Sequence, residues 1–297
     1  MENKAEYKKK SVFSQTVHQL VTNFFEHNVG KSAAALAYHL LFALFPLLIF
    51  ISNLLGLLEL DVNGIIHALQ RILPNDVVGL VEAYLDYVSH TSSKALFWFA
   101  LVFSIWFPMR AVNGLMDDVR LAYHLQKPKH PISYMIRQLI YTILFLIVIV
   151  LTMLLTIMGE NVLSYIINSL SGNTIRISNF LLSLWQYLRF LPVSLLMFVA
   201  LGTLYAASMD ERQPIRTLLP GIAASLFAWL AVSIGFSFYV ENFANYSIIY
   251  GTLGAVIILM VWLYMTSLIL ILGAELNSAR KTVKEKRNYI ENTVLAE

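Results

Sequence analysis

Four charged residues stand where an apolar chain has least use for them: Arg110, Arg189, Glu241 and Glu275. Each lies in or at the end of a long hydrophobic stretch, where an ionised side chain costs roughly 3 kcal/mol at a helix centre. Their order along the chain groups them by depth. Arg189 opens the fourth apolar stretch and Glu241 closes the fifth, on the outer side. Arg110 lies in the inner part of the second, and Glu275 closes the sixth on the inner side. Two opposite-charge pairs follow, Arg189 with Glu241 and Arg110 with Glu275. Two readings of them stay open. They are helix-locking salt bridges or arginines reaching for headgroups. Alternatively they line an aqueous or headgroup cavity, in which each guanidinium offers a two-pronged contact to phosphate.

A second set is polar and aromatic. Tyr246, Tyr250 and Gly251, with Asn242 and Asn245, form the entry to the last apolar stretch. They read as an interfacial aromatic belt and helix cap, or as a gate on the outer face. Gly251 and Ala255, four apart, allow another helix to approach closely. Tyr38 and His39 precede Pro46, which removes one helical hydrogen bond and marks an expected kink. A lone His there is more often hydrogen-bonded structure than a ligand. The seven His are scattered, no pattern with carboxylates closes a metal shell, and there are no cysteines. No metal or cofactor is expected. Asp117 and Asp118, beside Arg120, read as a cytoplasmic helix end.

The elements that must position these groups follow from composition. A mean hydropathy of +0.67, with 58% hydrophobic and 13% charged residues, lies far from soluble proteins, in which about a quarter of residues are charged. So apolar a chain of 297 residues cannot bury its surface in a water-soluble core. The expected fold is all-α, a polytopic membrane protein with six transmembrane helices and additional amphipathic interfacial helices. Spans are expected at about 32–58, 95–117, 135–158, 183–209, 217–240 and 249–275. Residues 1–31 form an N-terminal segment, 32–279 the membrane domain and 280–297 a basic tail.

Met1 to Lys10 is charged, and no short apolar region with a cleavage site follows it, so it does not read as a signal peptide. Phe13, Val17, Leu20, Val21, Phe24 and Phe25 then fall on one helical stripe. Flanking lysines make this a helix on the inner membrane surface, or one packed on the bundle. Residues 59–94 are too charged to span. Val62, Ile65, Ile66 and Leu69, then Val77, Val81, Tyr84, Leu85 and Val88, mark two amphipathic pieces there, separated by Pro74. Only 15 uncharged residues separate Lys94 from Arg110. That is roughly 23 Å of helix, short of the hydrocarbon thickness, so the helix must continue past Arg110. The loop from Asp117 to Tyr134 is polar and basic.

Orientation follows from the 21 Lys and Arg. Seventeen fall on one side of this topology and three on the other, with Arg189 at the outer edge of the core. Both termini are therefore expected to be cytoplasmic, in the plasma membrane. Three spans per half would make any internal repeat inverted, but the halves are not visibly alike.

Several stretches carry a family resemblance. They are Ala33 to Tyr38 continuing to Phe45-Pro46, and Trp106 through Arg110, Asn113 and Tyr123. Further on come Leu188 to Pro192 leading to Leu204-Tyr205, and Tyr239 to Gly251 through Trp262 and Tyr264 to Gly273-Ala-Glu-Leu-Asn277. Over roughly residues 12–280 the chain resembles the YihY/BrkB family of bacterial inner-membrane proteins, once labelled ribonuclease BN-like. The resemblance implies a six-helix integral membrane protein with roles in envelope biogenesis and lipid or solute export. It also draws Asn113 and Asn277 into the candidate gate or motif residues.

A ribonuclease needs a folded polar domain with carboxylates and a basic groove, whereas the longest polar segment here spans about 36 residues and is amphipathic. No Gly-x-x-x-x-Gly-Lys-Ser/Thr loop is present for nucleotide hydrolysis. The chain is expected not to be an enzyme and not to bind nucleic acid. Its expected partners are membrane lipids and a lipid or small-molecule substrate. Transport in envelope biogenesis fits best, and a non-transporting scaffold for envelope assembly is the alternative. A transporter should have a polar cavity reaching the membrane midplane and lined by Arg or Glu, and a scaffold should have a dry, close-packed interior.

Overall fold

A computed structural model describes residues 11–57, 66, 70, 78–83, 94–126, 128, 130–148, 151, 190–210, 214–243 and 252–296. Among these there are seven long helices and no strand: α1 (Val12–Glu26), α2 (Val29–Leu57), α3 (Lys94–Ala122), α4 (Pro131–Val148), α5 (Phe190–Ser208), α6 (Ile215–Phe243) and α7 (Thr252–Ala296). Five are long and apolar enough to cross a membrane, over Val29–Phe50, Trp98–Ala122, Pro131–Val148, Ile215–Val240 and Leu253–Thr293. The apolar part of α5, Ser194–Ser208, is shorter. The expected fourth span begins at residue 183, outside the described residues, as do most of the two amphipathic pieces between α2 and α3.

α1 is built inside out. Ser11 caps it by accepting from the Ser14 amide at 3.1 Å. Its buried residues are polar: Gln15, Thr16 and Asn23. Its apolar stripe points outward, with Phe13 79% and Phe25 71% exposed and Val17 and Val21 exposed between them. Asn28, at φ 53°, then turns the chain straight into α2. Asn tolerates that left-handed conformation better than most residues.

Three helices run through an internal proline, Pro46 in α2, Pro108 in α3 and Pro220 in α6. Pro46, where a kink is expected, lies inside one continuous helix, because neighbours in a bundle can absorb a lost hydrogen bond. α2 and α3 lie antiparallel. Ser32 meets Asp118, His39 lies within electrostatic reach of Arg110, and the Phe42 and Phe107 rings are 5.8 Å apart. The main core gathers Met116 and Val119 of α3, Tyr205 of α5, Ile222 of α6 and Ile271 of α7. α6 crosses α7 where Gly221 faces Gly273. A Cβ on either glycine would collide with the other helix, the Gly273 carbonyl for one and the Ser225 hydroxyl for the other.

Two sequence expectations need correction here. The polar loop expected from Asp117 to Tyr134 is mostly helix, since α3 runs on to Ala122 and α4 starts at Pro131. The charges that suggested a loop are satisfied where they stand. The Tyr134 hydroxyl donates to Asp117 at 2.9 Å, and Arg120 holds Asp210 with two hydrogen bonds of 3.0 Å. The basic segment 280–297 is not a separate tail, because α7 continues unbroken to Ala296. Its 45 residues make a rod of about 68 Å, more than twice the roughly 30 Å of a hydrocarbon core.

Candidate functional site

The Gly273-Ala-Glu-Leu-Asn277 stretch works as a three-way junction because of helical geometry. Residues 273 and 277 are four apart and share a face, while 275 points to the opposite side. Gly273 and Asn277 face α6. Asn277 accepts from the Gly221 amide at 2.7 Å and donates to the Leu218 carbonyl at 2.8 Å. The Ser225 hydroxyl donates to the Ile269 carbonyl at 3.1 Å, and the Tyr205 hydroxyl donates to the Leu270 carbonyl. One turn further on, the Ser278 hydroxyl donates to the Ala122 carbonyl at the end of α3, at 2.5 Å. Asn277, a candidate gate residue by sequence, is a bracket between helices.

Glu275 points the other way and is only 1% exposed. Its carboxylate accepts from the Asn23 amide at 2.9 Å and meets His27 Nδ1 at 2.6 Å. Both partners belong to α1 or its end, so Glu275 seats the polar face of that helix. His124, just past α3, stacks edge-on against His27 at 5.2 Å. Asp118 and Tyr123 complete the surroundings, each within electrostatic reach of Glu275. Tyr123 is buried deeply enough that its phenol is pushed well above the usual tyrosine range. The expected Arg110–Glu275 pair is not formed. Asn23 and His27 were missed because their bonds to Glu275 close over 252 and 248 residues of sequence. Only the inward polar face of an amphipathic stripe could have hinted at them.

A second polar lock holds the C-terminal end of α3. Arg120, 3% exposed, also donates to the Ser208 carbonyl at 2.9 Å and to the Gln126 carbonyl. Its guanidinium lies 5.4 Å from the Tyr134 ring, and Arg137 covers the same ring at 5.7 Å. The sequence reading gave this cluster no role beyond a helix end.

Arg110 sits elsewhere. Because α3 extends to Ala122, Arg110 is twelve residues from each end of the Trp98–Ala122 span, about 18 Å along the axis either way. The side chain is exposed and packs over the Trp106 ring at 5.2 Å. Among the described residues no carboxylate pairs with it. His39 lies near the middle of its own span, Val29–Phe50. The buried Nδ1 of His39 and Oδ1 of Asn113, one turn from Arg110, have no hydrogen-bond partner among the described residues. Tyr38 is half-exposed beside His39, its ring 4.5 Å from Phe42. Pro46 lies two turns further along α2. The structure therefore brings Arg110, His39 and Tyr38 together where α2 meets α3, with Asn113 one turn further along α3.

Arg189, Tyr246, Tyr250 and Gly251 lie outside the described residues, as does the side chain of Glu241. Among the described residues no three His, Cys, Asp or Glu gather as a metal site.

Comparison with known proteins agrees with this architecture. The family model described as virulence factor BrkB matches residues 20–294. The chain is 27% identical to the ribonuclease-like protein YfkH of Bacillus subtilis over 274 residues, 91% of this chain and 98% of that one. It is 27% identical to a UPF0761 membrane protein of Chromohalobacter salexigens, over 90% of this chain but 63% of the longer relative. It is 37% identical to the UPF0761 membrane protein YihY of Salmonella newport over 117 residues, 36% of this chain and 40% of that one. No solved structure matches. A chain whose long apolar helices close on a Gly-Ala-Glu-Leu-Asn junction, and which one family model covers almost end to end, belongs to the BrkB/YihY family of membrane proteins.

Proposed function

We propose that this protein moves a lipid or small solute across the plasma membrane and catalyses no covalent reaction. In this reading six helices cross the bilayer, both termini are cytoplasmic, and the outward apolar stripe of α1 lies in the inner leaflet. Envelope biogenesis is the setting. The observation that carries the proposal is the polar seam at mid-span. Arg110 has no carboxylate partner among the described residues, and near it are two buried polar atoms without partners among them. Transported groups are handled near the bilayer midplane, and an ionisable group there is costly to keep without a use. The seam opens on the side of the bundle, between α2 and α3, and not toward Glu275.

The tight inner junction supports a second reading, a non-transporting scaffold for envelope assembly. Gly221 against Gly273, with the buried Glu275 and Arg120 locks, makes a close-packed inner half. The name of YfkH is no reason to assign nuclease activity here. Reconstitution into liposomes separates the two readings, using a fluorescent-lipid flip assay and a solute-efflux assay. Transport predicts flux above protein-free vesicles that falls in Arg110→Ala but persists in Leu195→Ala, an exposed apolar control. Wild-type flux equal to protein-free vesicles would leave the scaffold.

A further inference from the structure

We propose that the mid-span seam of α2 and α3 binds the phosphate of a lipid headgroup, with the lipid tail lying along an aromatic strip on α3. This deepens the transport reading and rests on it for its purpose, though not for its geometry.

Arg110 supplies the charge. With no carboxylate partner among the described residues, the guanidinium keeps its fork of donors free, and that fork matches two oxygens of a phosphate. Trp106, half-exposed, lies under the guanidinium at 5.2 Å and fixes its direction along the outer surface. His39 of α2 lies within electrostatic reach of Arg110 and Asn113 stands one turn along α3, each with a buried atom, a ring nitrogen and an amide oxygen, that lacks a hydrogen-bond partner among the described residues. The ring nitrogen can donate to a second phosphate oxygen. The amide oxygen can accept from a hydroxyl or ammonium elsewhere on the headgroup. Two buried polar atoms at one level of two apolar helices are expensive when empty, and a bound headgroup would fill both.

The choice of a lipid over a free anion comes from what surrounds the charge. Phe99, Phe103 and Phe107 run along α3 at successive turns, with ring centroids 4.3 Å and 5.7 Å apart. Phe42 of α2 joins Phe107, and Tyr38 joins Phe42. Phe99, Phe42 and Tyr38 are exposed. An apolar strip beginning at the cation has the form of an amphiphile, and a solvated ion would have no use for it.

The test measures equilibrium binding to the full chain in detergent. The probes are a short-chain phosphatidic acid, the matching diacylglycerol without phosphate, and inorganic phosphate. Saturable binding of the phosphatidic acid is expected, with diacylglycerol weaker by roughly tenfold or more, the loss of charge-assisted hydrogen bonds. Arg110→Gln should weaken phosphatidic acid by a similar factor, and Arg110→Lys by less, since it keeps the charge but not the fork. Phe103→Ala should weaken both lipids and leave inorganic phosphate unaffected. Equal affinity for phosphatidic acid in wild type and Arg110→Gln overturns the site. Inorganic phosphate competing as well as the lipid overturns the lipid assignment. Binding without flip in liposomes refutes transport and leaves the site standing. Flip that survives the loss of phosphate-dependent binding refutes the site and leaves transport.

Discussion

Replacing Asn277 by alanine separates a bracket from a gate. Asn277 is 3% exposed and joins α7 to α6 through the Gly221 amide at 2.7 Å and the Leu218 carbonyl at 2.8 Å. Pro220 precedes that amide inside α6 and already costs the helix one donor. Interhelical hydrogen bonds in membrane bundles average about 0.6 kcal/mol and reach about 1.7 kcal/mol. Two of them, without room for water to replace the lost side chain, give about 1–3 kcal/mol for Asn277→Ala. Asn277→Asp should be worse. It retains the acceptor for the Gly221 amide, but loses the donor and buries a charge against the Leu218 carbonyl. The assay is thermal unfolding in detergent followed by size-exclusion fluorescence, alongside flux in liposomes. The expected order of stability is wild type, then alanine, then aspartate, with flux per folded protein unchanged in the alanine variant. An alanine variant as stable as wild type but altered in flux would refute the bracket and restore Asn277 as a gate.

Other perturbations probe the remaining contacts. Gly273→Ala drives a Cβ into the Ser225 hydroxyl, the Tyr205 phenolic oxygen and the backbone carbonyl of Gly221, and should diminish the monodisperse folded peak in size-exclusion chromatography. Asp210→Asn removes the carboxylate from a guanidinium that is 3% exposed, while the Asp210 side chain itself is 29% exposed; losing these charge-assisted bonds should cost about 1–3 kcal/mol, to be read as a fall in unfolding temperature. Glu275→Ala strands Asn23 and His27. It should free α1, raising thiol labelling of Thr16→Cys, which is buried in α1, in a chain with no native cysteine. Phe25→Asp places a charge on the outward stripe of α1. If that stripe rests in lipid, the substitution should lower the membrane-inserted fraction, whereas Glu26→Gln should not.

Hydropathy, read along the chain, determined that this is an all-helical membrane protein. It located α2, α3, α6 and the apolar half of α7, because long uncharged runs leave the backbone no option but to satisfy itself. Charges inside the apolar runs picked out Arg110 and Glu275, and the family resemblance drew in Asn113 and Asn277. Neither could say what they touch. Charge sign and depth suggested Arg110 against Glu275, but depth was reckoned from a helix ending too early, at about Asp117. α3 runs on to Ala122, and Glu275 is taken by Asn23 and His27 instead. That extension exists because Tyr134 and Asp210 satisfy Asp117 and Arg120 across the fold. The rotation of α1, polar side in, likewise depends on one carboxylate supplied by the far end of the chain. Periodicity reveals that a helix has two faces, and only tertiary packing decides which of them meets protein.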